Sequence, residues 1–154
     1  MPDTQQTLDR MAEEIFDLYK VLAAARSRQP AGPDDLSETE YLTLDALTKD
    51  EPMTIGEIQK RVGVVAAQMS RVIRALEEAG GRGYVDCKIN PLDRRRVDVY
   101  LTPAGRKAHA KFRQARLGSM FQALNALPPE DRFEFMRMLR HIRQAVESKQ
   151  LSIE

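Results

Sequence analysis

The chain has 154 residues, of which 42% are hydrophobic and 31% charged, with a single cysteine and a net charge of +1. This length suits one domain and excludes a multidomain enzyme, and one cysteine excludes an internal disulfide and the zinc frameworks built from two or four cysteines. The mean hydropathy of -0.48 and the lack of a long uncharged segment exclude a membrane span. Residues 1–10 lack the pattern of a secretory signal, so we expect a soluble, cytoplasmic protein.

The near-neutral total hides a charge asymmetry along the chain. Residues 1–51 carry 5 basic and 12 acidic side chains, residues 52–106 carry 10 and 6, and residues 107–154 carry 9 and 5. A basic middle after an acidic start is typical of a localised polyanion-binding surface. The alternative is that scattered surface charges sum in this way by chance.

Apolar residues near the N-terminus recur every three or four positions, which predicts a long first helix. This stripe consists of Leu8, Met11, Ile15, Leu18 and Leu22. The helix should end near Arg28, because the prolines and glycine of residues 29–33 disfavour helical backbone.

Two capping boxes follow, each with a hydroxyl side chain three residues before a glutamate. Ser37 and Glu40 open a second helix that stops at residues 50–52, and Thr54 and Glu57 open a third that ends at Gly63. The apolar positions of these two helices are Leu42, Leu44, Ala46, Leu47, Ile55, Ile58 and Val62.

A fourth helix is predicted over residues 64–79, directly after the turn at Gly63. Its apolar face carries Met69, Val72, Ile73 and Leu76. Two short helices joined by a glycine-containing turn have the spacing of a helix-turn-helix, in which this second helix would be the recognition helix.

Beyond the glycines at 80, 81 and 83 the apolar period changes to two, which predicts strands over residues 84–89 and 97–101. The loop of about seven residues between them carries three consecutive arginines, so we interpret this hairpin as a basic-tipped wing. Thr102 and Pro103 then open a fifth helix that runs to Leu127 and is broken at Pro128. The last helix, residues 130–148, has an apolar face of Phe135, Met138, Leu139, Ile142 and Val146.

These elements predict a mainly α fold of six helices and one hairpin. An α-helix fits the major groove of B-DNA, and arginines on a narrow loop reach the minor groove. The candidate base-reading residues are Ala66, Ala67, Gln68 and Arg71, and the candidate phosphate contacts are Ser70 and Arg74. Gln68 is suited to adenine and Arg71 to guanine. The alternative is that the arginines only form the solvated face of an amphipathic helix.

The wing carries a specific motif. Residues 93–102 match the pattern D-x-R-x-x-x-V-x-L-T, and residues 102–106 continue it as T-x-x-G-R. This pattern resembles the wing of MarR-family transcriptional regulators, and the segments 36–40, 53–58 and 63–78 are similar to the family's second, third and recognition helices. The resemblance covers essentially the whole chain.

The resemblance implies a winged helix-turn-helix protein that acts as an obligate homodimer. Such a dimer binds pseudo-palindromic double-stranded DNA, commonly as a repressor near its own promoter, and often releases it when a small ligand binds. It implies that the Asp93 carboxylate braces Arg95 and shapes the turn, and that Arg94 or Arg95 enters the minor groove. Arg96 completes the implied wing site, whose alternative reading is a solvated charge cluster.

Two departures from the family pattern concern the DNA-binding region. Residues 80–82 read as a three-residue insertion that could extend or loosen the joint between recognition helix and wing. The recognition helix starts with Val65, Ala66 and Ala67, where the family usually has a serine or threonine. A helix cap and a phosphate-binding hydroxyl are therefore missing, and contact of the alanines with thymine methyls is favoured.

The apolar stripes of the terminal helices exceed what a winged-helix core can cover. We therefore expect residues 1–35 and 103–154 to form a helical dimerisation region around the DNA-binding region 36–102. The expected dimer contacts are Leu8, Met11, Ile15, Leu18, Phe135, Ile142 and Val146. The alternative is a monomeric helical bundle.

Other functions are less well supported by the residues. Neither a phosphate loop nor a nucleophile with a matching base is recognisable, so we expect no enzyme activity and no cofactor. His109 and His141 are single histidines on different helices, so they predict no metal site. Cys87 alternates with apolar neighbours and is interpreted as a buried small residue and not as a redox sensor. A winged-helix module that binds protein instead of DNA is the main alternative.

Overall fold

The computed structural model describes residues 4–28, 35–81 and 83–151, with side chains up to residue 149. The chain divides into two compact units, residues 1–35 and residues 36–154. The described residues form helices α1 (Thr4–Ser27), α2 (Glu38–Lys49), α3 (Ile55–Val62), α4 (Ala66–Glu78), α5 (Pro103–Leu124) and α6 (Pro129–Leu151), and strands β1 (Met53–Thr54), β2 (Val85–Ile89) and β3 (Val97–Leu101). Among these helices, none is long and apolar enough to cross a membrane.

The first unit contains α1. Its predicted stripe is present as exposed side chains along one side of the helix, with Leu22 alone partly buried. The predicted break at residues 29–33 lies outside the described residues.

Both predicted capping boxes are confirmed. The backbone N–H of Glu40 donates to the Ser37 hydroxyl at 3.2 Å, and the Ser37 N–H donates to the Glu40 carboxylate at 2.7 Å. Thr54 and Glu57 repeat this geometry at 3.2 and 2.7 Å. Gly63 ends α3 at φ 76°, a left-handed conformation that favours glycine.

The sheet has three antiparallel strands in the order β1-β3-β2. The two strands of the predicted hairpin are confirmed, with Cys87 opposite Val99. The prediction of one hairpin missed β1, in which Met53 pairs with Val99 from the other side. A two-residue strand has no measurable period, so its pairing depends on the fold bringing β3 beside it.

The core lies between α2, α3, α4 and the sheet. Its fully buried side chains include Leu44, Leu47, Ile58, Met69, Leu76 and Val99. Two strand residues differ from the prediction: Cys87 is only half-buried, and Ile89 is 65% exposed because β2 leaves the core towards the wing tip.

The boundaries of three predicted helices shift by a few residues. The recognition helix is α4, residues 66–78, which is shorter than 64–79. Helix α5 ends at Leu124 and not at Leu127, and the amides of residues 126 and 127 close a turn onto Ala123 and Leu124. Helix α6 begins at Pro129, because proline suits the first helical position, where its missing N–H costs nothing.

Candidate nucleic-acid interface

Helices α3 and α4 form the predicted helix-turn-helix, joined by residues 63–65. Met69, Ile73 and Leu76 of α4 are buried against the core. All of the candidate DNA contacts on this helix are exposed, namely Ala66, Ala67, Gln68, Ser70, Arg71 and Arg74. Among the described residues, no carboxylate pairs with the guanidinium of Arg71 or Arg74. The outer face of α4 therefore presents unpaired cations to solvent.

The N-terminus of α4 lacks a side-chain cap, as predicted. Val65 occupies the cap position without a side-chain hydrogen bond and is 68% exposed. The Ser70 hydroxyl donates to the Ala66 carbonyl at 3.1 Å, so its proton is used within the helix. Uncapped N–H groups at a helix N-terminus carry partial positive charge and are suited to a phosphate oxygen.

Asn90 organises the wing tip, residues 90–96. Its side-chain oxygen accepts the backbone N–H groups of Leu92 and Asp93 at 2.8 and 3.1 Å. Its side-chain nitrogen donates to the carboxylate of Asp98, a buried residue of β3, at 2.7 Å. The backbone of Asn90 also pairs with that of Arg96. The tip is thus a structured loop anchored to the sheet.

Asp93 braces Arg95 through the backbone. Its carboxylate accepts the N–H of Arg95 at 3.0 Å, and its carbonyl accepts the N–H of Arg96. No described carboxylate is within ion-pair distance of the guanidinium of Arg94 or Arg95, so the expected brace shapes the turn and leaves both charges unpaired.

Arg96 differs from its two neighbours. Its guanidinium lies 3.8 Å from the Glu57 carboxylate at the start of α3. Hydrogen bonds from the Thr54 backbone and hydroxyl, and more weakly the charge of Arg96, hold the pKa of Glu57 below its ordinary value. Arg96 therefore lies beside the start of α3, in an exposed ion pair that contributes little to stability.

Backbone hydrogen bonds close the glycine-rich joint between α4 and β2. Gly80 and Gly81 have φ of 62° and 70°, and Arg82 lies outside the described residues. The N–H of Tyr84 donates to the Leu76 carbonyl at 2.7 Å, and the N–H of Gly83 donates to Ala79 at 2.9 Å. The residue before β2 is therefore tied directly to the last turn of α4, and Ala79–Gly81 form a short 3-10 turn after that helix.

The T-x-x-G-R motif fastens the base of the wing. The Thr102 hydroxyl caps α5 and donates to the Gly83 carbonyl at 2.8 Å. A Cβ at Gly105 would lie 2.1 Å from the Tyr84 carbonyl oxygen, so only glycine permits this approach. Arg106 pairs with Glu51, whose carboxylate also accepts the N–H of Leu101 at 2.8 Å.

Sequence reasoning missed two positioning residues, Glu51 and Asn90. In the sequence, Glu51 stands out only as one of the residues that end the second helix. Its hydrogen-bond partners, Leu101 and Arg106, lie 50 and 55 positions further along the chain. Asn90 precedes a proline, which is a signal for a turn, but its bond to Asp98 depends on the hairpin pairing.

A second cluster connects α2 with α5. The Tyr41 ring stacks on His109 and Phe112 at 5.0 and 4.5 Å, and His109 lies 2.9 Å from the Asp45 carboxylate. Partial burial raises the pKa of Asp45, but hydrogen bonds from Lys49 and His109 outweigh it and hold this pKa below its ordinary value. His109 thus serves as a packing and hydrogen-bonding residue at this junction.

The structure gives Cys87 a protonated thiol. Burial, together with the neighbouring Glu77 carboxylate, raises its pKa from 9.0 to about 12. The reactive thiolate is correspondingly scarce at neutral pH. Among the described residues, no group of three or more side chains is arranged to hold a metal ion.

Comparison with known proteins agrees with this geometry. A profile of the MarR family matches residues 36–97. An uncharacterised HTH-type transcriptional regulator of Mycobacterium leprae is 32% identical over 124 residues, which cover 80% of this chain and 83% of that protein. The fold resembles that of Streptococcus pneumoniae FabT in complex with DNA, with a TM-score of 0.68 and 22% identity, covering 94% of this chain and 98% of that one.

A further solved structure, that of Bordetella bronchiseptica BpsR, comes from work on the regulation of its DNA binding by 6-hydroxynicotinic acid. It has a TM-score of 0.63 and 21% identity, covering 87% of this chain and 98% of that one. The helix-turn-helix, the hairpin and the basic exposed face define a winged helix-turn-helix DNA-binding protein. The chain belongs to the MarR family of transcriptional regulators, whose members are not enzymes.

Proposed function

We propose that the protein is a repressor that binds a pseudo-palindromic operator as a homodimer, with α4 in the major groove and the wing tip in the minor groove. The observation that carries this proposal is the pair of arginines, Arg94 and Arg95, which have no carboxylate partner among the described residues on a tip that is otherwise tightly hydrogen-bonded. A narrow minor groove has a strong negative potential that attracts such side chains.

Each exposed residue of α4 has a proposed role. Gln68 pairs with adenine and Arg71 with guanine, and Ala66 and Ala67 contact thymine methyl groups. Arg74, Ser70 and the uncapped N-terminus of α4 bind phosphates and set the register. Arg96, in an exposed and weak ion pair with Glu57, lies between the wing and the helix-turn-helix and is proposed to contact DNA from there.

The homodimer is supported by apolar side chains that the single chain leaves in solvent. On α1 these are Leu8, Met11, Ile15 and Leu18, and on α6 they include Ile142 and Val146, with Phe135 partly exposed. A recess of about 300 Å³ between the end of α5 and α6 is lined by Phe121, Leu124, Phe135 and Leu139. Residues 1–35 and 103–154 are accordingly the proposed dimerisation region, and 36–102 the DNA-binding region.

Release of DNA by a small ligand is proposed from the family and from BpsR, whose DNA binding is regulated by 6-hydroxynicotinic acid. The Tyr41, His109 and Phe112 stack offers a path for such regulation, because it couples α2 of the helix-turn-helix region to α5. The proposed site of action is the cytoplasm, where the DNA is.

The test is a fluorescence-anisotropy titration against the DNA upstream of the protein's own gene and against a scrambled duplex, with the mass of the protein measured in parallel. A dimer that neutralises about six phosphates should lose about a thousandfold in affinity between about 50 and 200 mM salt. Failure of the folded protein to bind either duplex would instead favour the alternative function, a winged-helix module that binds another protein.

A further inference from the structure

Leu92 is the most exposed of the large apolar side chains among the described residues, at 96%. It lies in the middle of the wing tip, where the other members are Pro91, Asn90, Asp93 and the three arginines. At this exposure Leu92 packs against neither the core nor the sheet, and it is its place among the arginines of the wing tip that suggests a partner.

The backbone beneath Leu92 is held in place. Its N–H donates to the Asn90 side chain, which is itself bonded to the buried Asp98 carboxylate. The preceding proline has a restricted φ. The side chain therefore projects from a loop that is already ordered, and little conformational entropy is lost when it enters a binding partner.

The charges around Leu92 indicate which partner it meets. Arg94 and Arg95 follow within three residues and have no described carboxylate partner. A basic tip is drawn to the minor groove, from which apolar side chains such as leucine can insert as wedges between the stacked faces of adjacent base pairs.

We propose that Leu92 acts as a wedge, inserting into a base step of the minor groove and kinking the operator, while Arg94 and Arg95 hold the flanking phosphates and groove walls. This inference rests on the proposed DNA-binding function. A wedge favours pyrimidine-purine steps, which unstack easily, whereas an arginine alone favours stiff, narrow A-tracts. Leu92 thus adds a sequence preference at a position without base-edge hydrogen bonds.

The test begins with duplexes that the full-length protein enriches from a randomised pool. In these duplexes, 2-aminopurine then replaces one adenine at a time along the segment that the wing contacts. We expect the fluorescence to rise at one step in each half-site, because 2-aminopurine brightens when it unstacks. Leu92→Ser should abolish this rise, weaken binding about tenfold and remove the enrichment of TA or CA steps. Leu92→Met should retain the fluorescence rise, the wild-type affinity and the preference for TA or CA steps.

Ile89→Ser is the matched control, because Ile89 is the other strongly exposed apolar residue of the wing and precedes the tip. It should leave the fluorescence and the step preference unchanged. Equal effects of Leu92→Ser and Ile89→Ser, or silent 2-aminopurine with the wild-type protein bound, would overturn the wedge while DNA binding stands. Enrichment of no duplex at all would overturn the proposed function itself.

Discussion

The wing tip depends on short polar side chains more than on its arginines. Asn90 alone makes three hydrogen bonds that tie residues 92 and 93 to Asp98 of β3, and Asp93 adds the bond to the Arg95 amide. Because the backbone is satisfied in this way, the guanidinium groups of Arg94 and Arg95 take no part in holding the loop. Residues that shape the wing and residues proposed to bind DNA are therefore separable by mutation.

Arg94→Ala and Arg95→Ala should each weaken operator binding by about 1 to 3 kcal/mol without lowering the stability of the protein. Anisotropy titrations at several salt concentrations would measure both the affinity and its salt dependence, whose slope should fall by about two, because each substitution removes one cation from each half of the dimer. Arg137→Ala is the control, since Arg137 on α6 is paired with Glu134. Equal losses in all three variants would mean that net charge, and not the wing, determines binding.

Cys87 should react slowly with iodoacetamide. With a pKa of about 12 in place of 9.0, the thiolate fraction at pH 8 is about a thousandfold lower, and the thiolate is the reacting form. The rate should keep rising with pH beyond 9 and approach that of a free thiol only on denaturation. Cys87→Ser should bind DNA normally, and release of the wild type alone by peroxide would contradict this.

At the scale of elements, the wing is fastened at both of its ends. Tyr84 at the start of β2 is bonded to Leu76 of α4, and the end of β3 is bonded to Glu51, which follows α2. The Tyr84–Leu76 bond therefore holds the start of the wing against the end of the recognition helix. The effect of the insertion at residues 80–82 on the pose of the wing stays a prediction, and these two attachments are the contacts that oppose a loosened joint.

Gly105→Ala should destabilise the protein by about 1 to 3 kcal/mol, because a Cβ there would lie 2.1 Å from the Tyr84 carbonyl oxygen and force α5 away from β2. Urea unfolding followed by circular dichroism would measure this. Gly56→Ala is the matched control, as its added Cβ meets nothing within 4 Å and alanine favours the helix. Unchanged stability of Gly105→Ala would show that this packing is looser than the geometry indicates.

At the scale of the whole molecule, the two compact units share one property. The α1 helix of the first unit and α6 of the second both carry apolar stripes that are about half exposed. Stripes of this length on long helices are typical of surfaces that a second subunit covers.

Ile15→Asp and Ile142→Asp should each shift the protein from dimer towards monomer, because a carboxylate buried at an apolar interface is costly. Analytical ultracentrifugation over a range of concentrations would measure the shift. Ala24→Asp adds the same charge to α1 at an exposed position away from the stripe and should leave the dimer intact. A wild-type protein that is monomeric throughout would instead support the helical bundle.

The sequence by itself determined the local features of this protein. The capping boxes at Ser37 and Thr54, the left-handed Gly63 and the two-residue period of the wing strands all act within a few residues, so their signals can be read along the chain. The exposure of the α4 residues followed from the same periodicity. Their DNA-binding roles remain predictions.

The tertiary structure decided the features that join distant positions. The pairing of β1 with β3, the bonds of Glu51 to Leu101 and Arg106, and the close approach of Gly105 to Tyr84 exist only after the chain has folded. The closure of the joint between α4 and β2 belongs with them, since it requires the N–H of Tyr84 to reach the Leu76 carbonyl. Each is a contact between residues that no short-range pattern connects, because folding and not sequence spacing brings them together.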